Sequence, residues 1–147
     1  LKPREQLFTQ AKQNDVGIIV RVPLASGLLT GRYTPDTVFG KDDHRTYNRQ
    51  GQSFDKGETF SGIDYASGLQ AVEELKEVFG TQDLVPAALR FVLMHEAVST
   101  VIPGASKAAQ VTSNNRALEI PPLTDAQMDA VERIYNRYFR QEIHPQW

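Results

Sequence analysis

Hydrophobic positions follow a helical spacing along most of the chain and crowd into strand-like, β-branched runs at 18–22 and 98–102. From Leu1 to Asn14, Leu7, Phe8 and Ala11 share one face among Lys, Arg, Gln and Glu, with Pro3 admissible in a first turn, which predicts a surface helix. Asp15-Val16-Gly17 breaks that pattern. Ile18, Ile19, Val20 and Val22 then form the continuous apolar run of a parallel strand covered on both faces, with Arg21 inside it needing a partner or an exposed strand end. Gly68 to Phe79 places Leu69, Val72, Leu75 and Val78 on one helical stripe and is followed by Gly80 as a C-terminal cap. Val85 to His95 is a second helix, opened by Pro86 and apolar on most sides, so it is expected to lie deeper, with Met94 in the core and His95 as a partner of the helix dipole.

The second run, Val98, Thr100, Val101 and Ile102, stops at Pro103-Gly104, and a polar segment with helical spacing follows as far as Asn114. A strand, a glycine turn and a helix start bring unpaired backbone N–H groups and the positive end of a helix dipole together, the elements of an anion site. Leu118 to Leu123 is a proline-stiffened connector. Thr124 to Arg140 closes the series as a helix capped by Thr124, with Asp125 in its first turn and Met128, Val131, Ile134, Tyr135 and Tyr138 on its apolar stripe.

Two stretches lack either period. Pro23 to Tyr33 gathers Pro23, Gly27 and Gly31 among small residues, so it reads either as a close approach of backbone to a ligand or as an ordinary strand-to-helix loop. Thr34 to Ser61 is long, polar and rich in Asp, Arg, Asn and Gly, and its aromatics Phe39, Tyr47, Phe54 and Phe60 predict an ordered excursion packed on the body. Asp42, Asp43 and His44 are adjacent and cannot easily converge on one ion, so they are read as a solvated loop with Asp–Arg pairing and not as a metal site.

Strand, helix, helix, strand, helix is the order of a parallel α/β protein. Two strands alone make an inadequate sheet, with backbone and apolar faces exposed, so the chain reads as part of something larger and as prone to self-association. At 147 residues, 40% hydrophobic and 23% charged, it is expected to form one domain over 1–147. A net charge of -2 offers no general attraction to nucleic acid or to an anionic membrane. The chain has no cysteine, which removes disulfides, thiolate metal sites and a cysteine nucleophile. No apolar run approaches the roughly 20 residues that span a bilayer, and the polar start, LKPREQLFTQ, does not read as a signal peptide; a cytoplasmic protein is expected.

PLASGLLTGRY, DDHRTYNRQGQSFDKGETFSG, ALRFVL, VSTVIPGASKAAQVTSN and the terminal HPQW together resemble the C-terminal part of bacterial aldo-keto reductases, NADP-dependent oxidoreductases built on a TIM barrel. The resemblance implies an incomplete (β/α)8 barrel, mostly helical, in which Ile18 to Val22 is strand seven and Val98 to Ile102 is strand eight. It further implies that Pro23, Leu24, Ala25 and Ser26 line the pyrophosphate, that Arg32 stands where the family often has a phosphate-binding Lys, and that Gly104, Ser106, Lys107, Gln110 and Asn114 hold the 2'-phosphate and adenine of NADP(H). The residue chemistry agrees, since Ser106 and Lys107 sit at a helix start and Gln110 and Asn114 share a face; the competing reading is that Ser106 caps the helix while Lys107 and Gln110 are solvated. Val22 and Ser113 depart from the family's frequent Ser and Glu. The family's catalytic Tyr, Lys, Asp and His come from the first half of the barrel, so no catalytic residue is assigned. The expected function is the cofactor-binding part of such a reductase, inactive alone; the alternative is a non-catalytic module that self-associates or binds a partner.

Overall fold

The computed structural model describes residues 1–146; Trp147, expected to dock its ring on the body, lies outside the described residues. The chain runs α1 (Lys2–Gln13), β1 (Ile18–Arg21), a long excursion containing the single-turn α2 (His44–Tyr47), α3 (Tyr65–Phe79), α4 (Val85–Leu93), β2 (Val98–Ile102), α5 (Ala108–Asn115), α6 (Asp125–Tyr138) and the short α7 (Arg140–Ile143). Capping explains several boundaries. Asp64 accepts from Ser67 N–H at the start of α3, and Gly80 ends that helix in the left-handed region at φ 60. At the start of α6, Thr124 and Gln127 exchange hydrogen bonds, with Thr124 N–H donating to Gln127 Oε1 at 2.9 Å.

β1 and β2 pair in parallel, with Ile19 opposite Thr100, Val20 opposite Val101 and Arg21 opposite Ile102. α4 packs on β2 and covers one face of the sheet. The expectation of a strand covered on both faces is not met: Ile19 is 64% and Ile102 is 56% exposed. Side chains alternate across a strand, so Ile19, Arg21, Thr100 and Ile102 share the open face, while Val20 and Val101 turn toward the helices. Arg21 meets the need for a partner by donating to Glu58 Oε2 across the open side.

One core cluster joins Leu28, Phe60, Val72 and Leu84, and a second joins Val85, Leu89 and Ala117 with Leu24 and Val101 packed against it. α3 and α6 lie side by side, and Glu74 accepts from Arg137 at 2.8 Å and from Tyr138 at 2.6 Å. On α1 Ala11 is buried, but Leu7 is 49% exposed, whereas Phe8 tilts against the ring of His95. α4 ends before His95, whose ring lies between Phe8 and Phe91; burial there pushes its pKa down, so it is a neutral packing group and not the charged dipole partner expected.

The excursion is ordered, as its aromatics predict. Asn48, fully buried, is its hub: Oδ1 accepts from Ser53 N–H at 2.8 Å and Phe54 N–H at 2.9 Å, and Nδ2 donates to Thr59 Oγ1 at 3.2 Å. Phe39 and Phe60 pack with Tyr33 and Tyr65 on the α3 side, whereas Tyr47 and Phe54 pair edge to face nearer the surface. The guanidinium of Arg49 lies 4.8 Å from the centre of the Tyr65 ring and 5.6 Å from that of Phe39, tying the excursion to that aromatic group.

Candidate functional site

Parallel pairing decides where the two candidate loops lie. Arg21 and Ile102 are partners at the C-terminal ends of β1 and β2, so Val22-Pro23 and Pro103-Gly104 leave the sheet side by side. The chain beyond β1 is held in an uncommon conformation. Val22, Ala25 and Ser26 have φ of 51, 48 and 56, and Gly27 follows at φ 90. A β-branched residue in the left-handed region stores on the order of 1–3 kcal/mol, and such strain persists only where the surroundings over-determine it.

Those surroundings are identifiable. Ala25 N–H donates to the Val22 carbonyl and Gly27 N–H to the Leu24 carbonyl, which closes the turn. The Ser26 carbonyl accepts from Tyr33 OH at 3.3 Å and from Arg45 Nη1 at 3.2 Å. Arg45 in turn donates to Tyr33 OH and grips Asp43 through Nε at 2.8 Å and Nη2 at 2.5 Å. Its guanidinium lies 4.5 Å from the centre of the Phe39 ring. The hydrogen bonds from Arg45 hold the Asp43 carboxyl at a pKa of about 2, and burial pushes the Tyr33 phenol up, so it stays protonated as a donor. Ser26 Oγ accepts from Phe60 N–H at 3.1 Å, joining the turn to a second left-handed pair, Phe60 and Ser61 at φ 50 and 57.

Leu24 and Ala25 send their side chains to the two core clusters, so what they can offer a ligand is backbone. Pro23 and Ser26 are half-buried at the surface of the turn. Arg32 is exposed just beyond Gly31, where an added Cβ would stand 2.6 Å from the Gln82 carbonyl. The cationic side chain therefore sits at the far end of this segment from Ser26.

The second loop is open. Nothing approaches within 4 Å of a Cβ added to Gly104, and Ala105, Ser106 and Lys107 are exposed. α5 begins at Ala108 with Lys107 at its cap position, so the cap falls one residue beyond Ser106. Gln110 reaches back: its Oε1 accepts from Ser106 N–H at 2.6 Å, Lys107 N–H at 3.1 Å and Ser106 Oγ at 3.2 Å. An acceptor oxygen on three convergent donors is the arrangement that a phosphate oxygen would need, so the donor set fits an anion, with the Gln110 amide standing in its place. The competing reading holds only for Lys107, which is exposed: Ser106 is not the cap residue, and Gln110 is half-buried with its amide oxygen on the Ser106 and Lys107 N–H groups. Asn114 is half-buried on α5, four residues on.

The turn 23–27 and the loop 104–107 are thus brought to the C-terminal end of the sheet. The brace of Tyr33, Arg45 and Asp43 was not legible beforehand; Asp–Arg pairing in this loop was expected, but its grip on Ser26 joins residues 19 apart across the fold.

A family model, Aldo/keto reductase family, matches residues 2–136. L-glyceraldehyde 3-phosphate reductase of Escherichia coli O157:H7 is 33% identical over 112 residues, covering 76% of this chain and 31% of that protein. The putative voltage-gated potassium channel subunit beta of Schizosaccharomyces pombe is 30% identical over 137 residues, covering 92% of this chain and 37% of that one. Among solved structures, glycerol dehydrogenase AKR11B4 from Gluconobacter oxydans superposes with a TM-score of 0.72 at 26% identity, over 94% of this chain and 39% of its own. The holo form of aldo-keto reductase AKR11C1 from Bacillus halodurans gives 0.62 at 27% identity, over 90% and 38%. The chain spans about a third of the length of the curated relatives it matches. The solved relatives are TIM barrels, and a mostly helical chain with two parallel strands matches part of one, with β1 and β2 as its strands seven and eight. A strained turn and an anion-ready loop at the C-terminal end of the sheet, the match over 2–136 and the superposition on reductase barrels agree: the chain belongs to the aldo/keto reductase family.

Proposed function

We propose that this chain is the cofactor-binding C-terminal part of an NADP-dependent aldo-keto reductase. Pro23, Leu24, Ala25 and Ser26 present backbone and a hydroxyl to the pyrophosphate, and Arg32 adds positive charge. Gly104, Ser106, Lys107, Gln110 and Asn114 take the 2'-phosphate and adenine. The observation that carries this reading is the pairing of Arg21 with Ile102, which brings both loops to the C-terminal end of the sheet. NADP(H), when bound, supplies the hydride; these residues hold and orient it. Gln110 must release the Ser106 and Lys107 donors for a phosphate to take them, so binding exchanges one acceptor for a more strongly charged one. A ligand that binds only the folded form raises its melting temperature, so NADPH at millimolar concentration is expected to shift the transition upward. No shift would remove the proposal. No residue of this chain is assigned to proton transfer, and we expect no turnover alone: sustained aldehyde-dependent loss of NADPH absorbance by the purified chain would refute that inactivity.

A second reading is a non-catalytic module that self-associates. It is favoured by the open sheet face, where Ile19 and Ile102 are more than half exposed beside two strand edges. A family relative named as a putative channel subunit is in keeping with an assembly role. Sedimentation is expected to give a mass that rises with concentration and falls to that of the monomer in the Ile19→Lys, Ile102→Lys double variant. A well-folded monomer of the unaltered chain at high concentration contradicts it.

A further inference from the structure

Behind the turn 23–27, the helices do not close on one another. A hollow of about 380 Å³ lies between α3, α4 and α6, with Pro23, Ala25 and Leu29 in one wall. Its origin is in the sequence: Ala71 of α3 and Ala87 and Ala88 of α4 stand where larger side chains would fill the space. Phe79, Phe91, Tyr135 and Phe139 frame it and remain half-buried, so the hollow is reachable from solvent.

Water is a poor occupant. A buried water requires two to four polar partners, and the lining is almost wholly hydrocarbon. Among the described residues, the polar side chains that reach it are Lys2, Ser61 and Tyr135. Two of them already have protein partners: Tyr135 OH lies 3.1 Å from His144 Nδ1, and Lys2 Nζ donates to the His144 carbonyl at 2.9 Å. An apolar cavity of roughly 150 Å³ stays dry and admits benzene, and this one is more than twice that size.

We propose that this hollow is a binding site for a compact, uncharged apolar molecule larger than benzene, of the size of a fused aromatic or a small terpenoid. Its recognition is by shape and burial, since the wall is almost wholly hydrocarbon and its few polar groups can orient only a single hydroxyl or carbonyl. The site is separate from the cofactor loops, although it backs onto the turn that forms one of them.

The test is a fluorescence titration of the whole chain with N-phenyl-1-naphthylamine, a neutral probe that brightens in apolar surroundings. Saturable one-to-one binding is expected, weakened by at least about tenfold in Ala88→Phe and in Val131→Phe, which fill the space from opposite walls, with circular dichroism unchanged. If Phe is not accommodated at 88, Ala88→Val still narrows the space and still weakens binding. Ile19→Lys with Ile102→Lys, on the open sheet face, is expected to leave the affinity within about twofold. Non-saturable binding, filled variants that bind as the unaltered chain does, or loss of binding in the sheet-face variant would overturn the proposal.

Discussion

Asp43, Arg45 and Tyr33 show how single side chains fix the strained turn beside β1. Asp43 titrates at about 2 in the fold against 3.8 without partners, so its contribution is complete above about pH 4 and is lost as the pH falls toward 2. The pair is only partly shielded from solvent, which reduces the contribution to about 1 kcal/mol. Asp43→Asn retains an acceptor for the Arg45 N–H at the start of α2 and removes the charge together with the acceptor of Arg45 Nη2. Urea unfolding at pH 7 is therefore expected to find this variant less stable by about 1 kcal/mol, and the gap is expected to close near pH 2. An equal gap at both pH values would contradict the assignment. At this scale the sequence exposed residue types and local spacing: Asp–Arg pairing in this loop was readable, and so was Gly104. The grip of Arg45 on Ser26 and the back-bonding of Gln110 were not, because each depends on where a side chain ends after the backbone has folded.

Among the elements, α3 and α6 were legible because amphipathic spacing and a good cap agree. Thr124→Ala tests the second of these. It removes the acceptor of Gln127 N–H and loosens the reciprocal bond to Thr124 N–H, so a loss of about 1 kcal/mol is expected. In a domain of this size that is a fall of about 2–4 °C in melting temperature, and an unchanged melting curve would contradict the cap's role. The excursion was recognised as ordered from its aromatics, but the single-turn α2 and the turns after it were not. They are built from side-chain bonds by Asp43, Asn48 and Asp55, with no periodic pattern to read. β1 was placed correctly and its environment was not. An apolar run of this kind reports that a strand belongs in a doubly covered sheet; among the described residues nothing covers the second face, so Ile19 stands open.

For the molecule as a whole, the fold is a segment of a barrel whose own relatives extend to about three times its matched length. Its helices bury two small cores, and its sheet keeps both edges and one face unpartnered within the described residues. The turn 23–27 and the loop 104–107 leave its sheet side by side at the C-terminal ends of β1 and β2, and that placement is the basis of the NADP(H) proposal. The most direct measurement is calorimetric titration of the chain and of Lys107→Ala with NADPH and with NADH. One-to-one binding is expected, tighter for NADPH than for NADH, with Lys107→Ala removing most of that difference. Absence of binding by either nucleotide at millimolar concentration, or equal affinity for both that Lys107→Ala leaves unchanged, would contradict the proposal.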